Sequence, residues 1–435
     1  MTTTESPATA RTGHGAPGAR VYDVAIVGAG LAGLTAAATA ARFGARVVLL
    51  DGRDVGGRAR SAARDGFVLN EGGHALYRSG GGWDALVALG VEPRGAVPPL
   101  GDSSTVWDGA IVPLPVVTRD ILTSRLLSVR SKAKLARWFG DLARTARSAG
   151  DRSFEEWLTD QRAGADLRRY ALTVARLSTY AADPGRLPPA AVLRQFLAGG
   201  DGVVYLDGGW KSLVEALRGV AVEAAAEIVT GATVAAVEPA GSDWTVVADD
   251  RGVDAATVVL AAGGPAVATR LLGGDPAGWV ERAGPELRAS CLDIGGDTDG
   301  DHQLLLSSDE PLYCSRHAPV ARLAPDGAHL HSVMRYLAPD DPNTAEQNRA
   351  ALERHATAAG LPAGDDRRLE RFLAAPVVSW GSPQVGIERP TGVELEGSGL
   401  FAAGDWVGDA LLADASIRSG VVAGTGAARR ATVSR

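Results

Sequence analysis

The forty residues from Val21 to Arg60 constrain this chain more than any other stretch. Tyr22 to Val27 is a short, apolar, β-branched run of the kind that forms a buried parallel strand. It leads into Gly28-Ala29-Gly30-Leu31-Ala32-Gly33, a G-x-G-x-x-G pattern, and Leu31 to Phe43 then reads as a helix. A second apolar run, Val47 to Leu50, ends in Asp51-Gly52-Arg53. Each position has a mechanical role in a dinucleotide site. Gly28 permits a tight turn, Gly30 lets backbone approach a pyrophosphate, and Gly33 lets helix pack close to strand. Around Ala29, Leu31 and Ala32 the helix N-terminus offers unpaired N–H groups and a positive dipole end. Asp51 is placed to accept hydrogen bonds from ribose hydroxyls. With 55 glycines in the chain, the glycine pattern alone says little. Strand, glycines, helix, strand and terminal acid in one unit predict a Rossmann-like fold.

Two further motifs narrow the nucleotide. Val55-Gly56-Gly57-Arg58-Ala59-Arg60 follows Asp51 closely. Its glycines let the main chain pass a pyrophosphate, and Arg58 supplies a planar cation for it. Near the other end, an apolar run closes on Gly404-Asp405-Trp406, and a small-residue helix opens around Ala415-Ser416-Ile417. On these residues the chain resembles the FAD-dependent oxidoreductases of the phytoene-desaturase and flavin amine-oxidase superfamily. The resemblance implies FAD held at both ends of the chain. The equivalent of Asp405 binds ribityl or pyrophosphate-linked hydroxyls. The helix at Ala415 to Ile417 points its positive end at the flavin N1–C2=O edge, where charge develops on reduction. The resemblance also implies Val234 as a main-chain contact for adenine, and a turn holding Gly73 and His74 that passes near the flavin. No cysteine lies near Gly404, so the flavin is expected to be non-covalent.

The implied fold class is α/β, a Rossmann-like FAD-binding domain with a mixed α+β substrate-binding domain. The FAD domain is discontinuous, over 21–95, 205–285 and 385–435. The substrate domain takes 96–204 as a helical cap and 286–384 as an antiparallel sheet. Residues 1–20, rich in Thr, Ala, Gly and Pro, read as a disordered tail. Asp207-Gly208-Gly209 with Leu213 and Leu217 resembles the family segment that marks the return to the nucleotide domain.

Composition narrows the partners. A net charge of −7 argues against a nucleic-acid surface. Two cysteines without metal-ligand spacing fit a reducing cytoplasm. His329 and His331 share a strand face, but no carboxylate or third histidine is locally positioned in sequence, so no metal is expected. Thr118 to Gly150 carries an apolar stripe of Leu122, Leu126, Val129, Ala133, Ala136 and Phe139 beside a run of arginines. A peripheral membrane contact through 118–150 is one reading. A helix covering the substrate domain, apolar face inward, is preferred, because aromatic anchors beyond Trp138 are few.

The chemistry expected is hydride removal from a small-molecule substrate to flavin N5. The favoured substrate is largely apolar, a terpenoid or specialised metabolite, with desaturation as one outcome. An amine or amino-acid oxidase is the alternative, and a flavin-less binding or escort protein the reading of another class. The lysine that many amine oxidases place near N5 has no counterpart: the three lysines, Lys132, Lys134 and Lys211, all precede the second excursion. His74 is a candidate acid or base, or else bonds a backbone group. Trp380 and Trp406 are a candidate aromatic pair around the substrate. No pattern in the chain specifies the electron acceptor or the oligomeric state.

Overall fold

The computed structural model describes residues 22–249 and 251–433; the expected tail over 1–20 lies outside them. Strand Tyr22–Val27 is the centre of a seven-stranded sheet. It pairs in parallel with Val47–Asp51 on one side and with the second half of Arg251–Leu260 on the other. Glu227–Thr230 extends the sheet beyond Val47–Asp51, and Leu400–Ala402 joins beside Val258 to Leu260. The parallel strands are buried on both faces. Val24, Ile26, Val47, Leu49 and Val259 meet one cluster of helices, while Ala25, Val27, Val48, Leu50 and Val258 meet the opposite cluster. That alternation explains why these runs look uniformly apolar in sequence.

Helix Leu31–Arg42 lies against both Trp210–Glu223 and the C-terminal Leu412–Val433. Close packing with the last helix depends on two glycines. A Cβ on Gly420 would come within 2.5 Å of the Ala32 carbonyl oxygen, and one on Gly424 within 2.5 Å of that of Ala36. The sequence suggests a hairpin of Ile228–Val237 with Trp244–Ala248. Instead, Glu227–Thr230 is a separate parallel strand, and the hairpin joins Val234–Ala240 to Asp243–Ala248. The turn at Gly231 separates them, and short β-branched runs carry no signal for which edge they join.

A second, eight-stranded sheet is built from both excursions. Its order is Leu369–Leu373, Leu287–Gly296, His329–Leu337, Leu312–Ala318, Leu304–Ser307, Ser103–Trp107 and Ala110–Pro113, with Val377–Ser379 also on Leu287–Gly296. Pairing is antiparallel except where Leu304–Ser307 meets Ser103–Trp107. The strands over 312–318 and 369–373 were not apparent from periodicity, because each mixes charged and apolar residues.

The helical segment Thr118–Ala198 covers one face of this sheet. Leu135, Trp138, Phe154, Trp157 and Tyr170 form a core with Tyr180, Tyr313, Met334 and Tyr336. The block 118–150 is three helices, not one, and its expected apolar stripe does not face inward. On helix Val129–Gly140 the buried residues are Ser131, Leu135 and Trp138. Val129, Ala133, Ala136 and Phe139 are exposed. Trp138 decides the rotation, because burying its large ring against Trp157 outweighs burying valine and alanines.

Candidate functional site

A cavity of about 720 Å³ runs between the two sheets. Its walls include the glycine loop, the Gly56–Arg60 turn, the Glu71–Ala75 turn, Val234, Trp380, Gly404-Asp405 and the start of helix Leu412–Val433. Segments far apart in sequence thus share one volume.

The loop after Tyr22–Val27 is shaped for close approach. Gly28 holds φ +104°, and a Cβ on Gly33 would come within 1.8 Å of the Gly28 carbonyl oxygen. Gly30 is different: a Cβ there meets no protein atom within 4 Å. It would project into space that a phosphate group fits. Helix Leu31–Arg42 has no side chain capping its N-terminus, so its first N–H groups remain available to an anion. Asp51 accepts from Ala29 N–H at 2.7 Å and from Arg53 N–H at 2.8 Å, one bond per carboxylate oxygen. Each oxygen keeps lone pairs for a ribose hydroxyl. Gly52, Arg53, Thr233 and Val234 line the same end, with Val234 opening its strand.

The Gly56–Arg60 turn is tied to the glycine loop by Gly56 N–H donating to the Ala29 carbonyl at 2.7 Å. A Cβ built on Gly57 would lie 3.3 Å from Gly30 Cα. Arg58 reaches across the cavity. Its Nη2 donates to Asp405 Oδ2 at 2.7 Å and its Nη1 to the Val378 carbonyl at 2.5 Å, and its guanidinium lies 5.6 Å from the Trp380 ring centre. Asp405 is buried, and its other oxygen, Oδ1, has no partner among the described residues. An orphaned buried carboxylate oxygen beside a cavity is what a hydroxyl-bearing ligand would satisfy. The indole N–H of Trp210, buried and unpartnered, also borders the cavity. These donors, acceptors and the Gly30 gap fit a dinucleotide.

Arg389 fixes the Asp405 loop from behind. Its guanidinium donates to the Asp405 carbonyl and, at 2.7 Å, to that of Ala410. Burial lowers its pKa to about 10, so it stays cationic at neutral pH. Arg389 was missed at the sequence level, because an arginine in an irregular loop carries no signal of burial. Tyr180, Glu71, Leu412 and Pro376 to Val378 were missed likewise; all line the cavity.

Other positions fall out as follows. Gly73 is pressed against the second sheet, where a Cβ would lie 2.2 Å from the Tyr313 hydroxyl oxygen. His74 borders the cavity with its ring centre 5.0 Å from that of Trp210, and Nδ1 lies 2.9 Å from the Gly72 carbonyl oxygen. Burial pushes its pKa down to about 4, against the opposing pull of that carbonyl. The imidazole is therefore neutral at physiological pH, with Nδ1–H donating to Gly72. Ser416 lines the cavity, whereas Ala415 and Ile417 pack into the core on the helix's other sides. Trp380 lines the cavity, but Trp406 does not. Its ring is buried 5.7 Å from that of Trp279, so the two tryptophans do not form a pair around a substrate. The fold brings a carboxylate to His329 from outside its sequence neighbourhood: Asp299 lies 2.8 Å from its Nδ1 and also pairs with Arg316. Among the described residues no group of three ligating side chains could hold a metal ion.

Comparison with known proteins places this arrangement. The model of the flavin containing amine oxidoreductase family matches residues 31–287, more than half of the chain. A Mycobacterium tuberculosis protein named as a flavin-containing monoamine oxidase, AofH, is 29% identical over 265 residues. That match covers 55% of this chain and 56% of AofH, so the chain spans about half the length of the curated relatives it matches. Among solved structures, an oxidoreductase from Methanosarcina mazei superposes with a TM-score of 0.72 at 19% identity, over 92% of this chain and 98% of that one. Cyclohexylamine oxidase from Brevibacterium oxydans superposes with a TM-score of 0.70 at 18% identity, over 95% and 100%. At those identities the superpositions speak for the fold. The family match, with both halves of the nucleotide cradle present, identifies the chain as a member of the flavin-containing amine oxidoreductases, FAD-dependent enzymes of the α/β class.

Proposed function

We propose that this enzyme oxidises a largely apolar small molecule, a terpenoid or similar specialised metabolite, by removing a hydride from carbon. Bound FAD supplies the two-electron acceptor. The chain's residues supply position and electrostatics. Gly30 and the helix behind it receive the pyrophosphate, Asp51 and Asp405 accept hydroxyls, and Arg58 holds Asp405 in place. Leu412, Ala413 and Ser416, at the start of Leu412–Val433, line the cavity, where the positive end of the helix favours negative charge. His74 stays neutral and orients the Glu71–Ala75 turn through Gly72.

One observation carries the substrate class. Where the excursions meet the cavity, the wall includes Tyr180, Trp380 and Pro376 to Val378, with Leu412 of the last helix also lining it and no lysine among the lining residues. Glu71, also on that wall, faces Arg371 at 3.7 Å. An apolar guest fits that wall, whereas a cationic one would have to compete with Arg371 for Glu71.

Oxidation of an amine is the second reading, favoured by the amine-oxidase names of the relatives and by the Trp380 ring at the wall. A flavin-less escort protein is disfavoured by the intact cradle. Anaerobic titration of the purified yellow protein with polyenes, polycyclic metabolites and amines separates the three. Bleaching of the flavin by the apolar panel supports the proposal. Bleaching by amines alone replaces it with the second reading, and a colourless protein overturns both.

A further inference from the structure

We propose that the helices over 118–147 form a docking face for an anionic lipid bilayer. The argument starts from the side of helix Val129–Gly140 that points away from the core. Positions 129, 133, 136 and 140 follow the 4-3-4 spacing of one helix face, opposite Ser131, Leu135 and Trp138. They are Val, Ala, Ala and Gly, all exposed. A surface helix ordinarily turns polar residues outward. Here both faces are apolar, and the outer one is bordered by cations, Arg130 and Arg137 on one flank and Lys132 on the other.

Neighbouring elements extend the face. Lys132 Nζ donates to the Leu122 carbonyl at 2.8 Å, which ties helix Thr118–Thr123 alongside. Leu122 is 64% exposed and Val129 84%. Phe139 is about half exposed and stacks on Phe196. Arg119, Arg125, Arg130, Arg137, Arg144 and Arg147 are all exposed, and none forms an ion pair among the described residues. The acids on these helices are committed elsewhere or outnumbered. Asp141 caps Arg144 N–H at 3.0 Å, and Asp120 is the other. Asp166, on the adjacent helix, accepts from Ser128 N–H and from Ser131.

The chemistry selects the occupant. The exposed small residues of the face, Ala133, Ala136 and Gly140, allow only shallow insertion. A lipid headgroup layer needs no more: apolar side chains enter the acyl boundary while the arginines meet phosphates. The rest of the chain is net negative, so a negative surface attracts this side and repels the others.

The test is co-sedimentation of the full-length holoenzyme with vesicles of phosphatidylglycerol and phosphatidylcholine in equal parts, and with phosphatidylcholine alone. The wild type is expected to pellet with the anionic vesicles only, and to be released as salt rises. Arg130→Gln with Arg137→Gln should lower partition about five-fold per cation removed. Val129→Glu should lower it further while leaving the melting temperature and the bound flavin unchanged, since Val129 is 84% exposed. Failure of the wild type to pellet at low salt overturns the proposal, as does equal pelleting with neutral vesicles or unaltered binding by all the variants. A dimer in solution that Val129→Glu dissociates would make a second copy the occupant and equally overturn it.

Discussion

Arg58 and Asp405, 347 positions apart, meet at 2.7 Å across the cavity, and this contact closes the nucleotide unit from its two ends. Asp405 is 2% exposed and the Arg58 side chain 35%. The pair therefore sits at the boundary between core and cavity, where one carboxylate oxygen is satisfied and the other waits for a ligand hydroxyl. The backbone N–H of Trp380 also approaches the same Asp405 oxygen as Arg58, at 3.3 Å. Two distant segments of the chain, at Arg58 and Trp380, thus converge on one carboxylate.

Replacing Asp405 by Ala should weaken FAD retention at least about ten-fold and destabilise the fold by about 3 kcal/mol. The second figure is at the low end for a broken buried pair, because Arg58 keeps contact with water. Flavin release followed by fluorescence, with a denaturant melt of the same sample, measures both. An Asp405→Ala protein that holds FAD as tightly as wild type removes Asp405 from the site.

Gly30 and Gly33 should respond to substitution in opposite ways, although they belong to one motif. Gly30→Val places its side chain where no protein atom lies within 4 Å, so the apoprotein should fold with a near-normal melting temperature but purify colourless. Gly33→Ala would drive a methyl group to within 1.8 Å of the Gly28 oxygen, so loss of soluble folded protein is expected. A fully yellow Gly30→Val protein would show that the phosphate lies elsewhere.

The two ends of the cradle were legible because their residue types follow from covalent limits. A turn with φ above 100° at Gly28 and a helix packed onto a turn at Gly33 both demand glycine, and glycine at a fixed spacing can be read. Asp51 and Asp405 were legible as acids ending apolar runs. The cavity wall was not. Tyr180 ends a helix in the left-handed region, and Leu412 begins one there, yet neither type signals that conformation. Trp406 misled for the opposite reason: its neighbour Asp405 faces the cavity, while its own ring turns to Trp279. The inward face of Val129–Gly140 was misread because periodicity finds a stripe but does not rank it against one bulky ring.

Acid should destabilise the protein through its buried histidines, His74 and His355 among them and two more, His317 and His331, in the second sheet. Burial lowers the pKa of His317 to about 3 and of His331 to about 4, both from an ordinary 6.5. Below about pH 6.5 the unfolded chain binds protons that the folded one refuses, so stability falls as pH drops toward those values and is fully present above 6.5. Each histidine contributes at most about 1.4 kcal/mol per pH unit. Asp293 and Asp414, whose pKa values burial raises, act in the opposite sense and soften the slope. His317 stacks on Tyr205 at 4.2 Å and bonds the Ser315 hydroxyl at 2.9 Å. His317→Gln should therefore lower the melting temperature at pH 7 yet flatten its decline between pH 6.5 and 4. An unchanged slope would assign the acid sensitivity to other groups.

His74 provides the sharpest test of how the site treats protons. It is neutral above about pH 5, because burial holds its pKa near 4, and its Nδ1–H is spent on the Gly72 carbonyl. It should then contribute no limb to the pH profile of flavin reduction between about pH 6 and 9. His74→Gln preserves a donor for Gly72 and should change the reduction rate by less than about ten-fold, an effect of position only. General acid–base catalysis contributes about a hundred-fold or more, so its loss would be unmistakable. Stopped-flow reduction with the substrate found by anaerobic titration distinguishes the cases. A wild-type limb near pH 6.5 that vanishes in His74→Gln, with a hundred-fold slower rate, would make His74 an acid or base. A flat profile with a retained rate would make it a support for the Glu71–Ala75 turn, with its effect on hydride removal one of position alone.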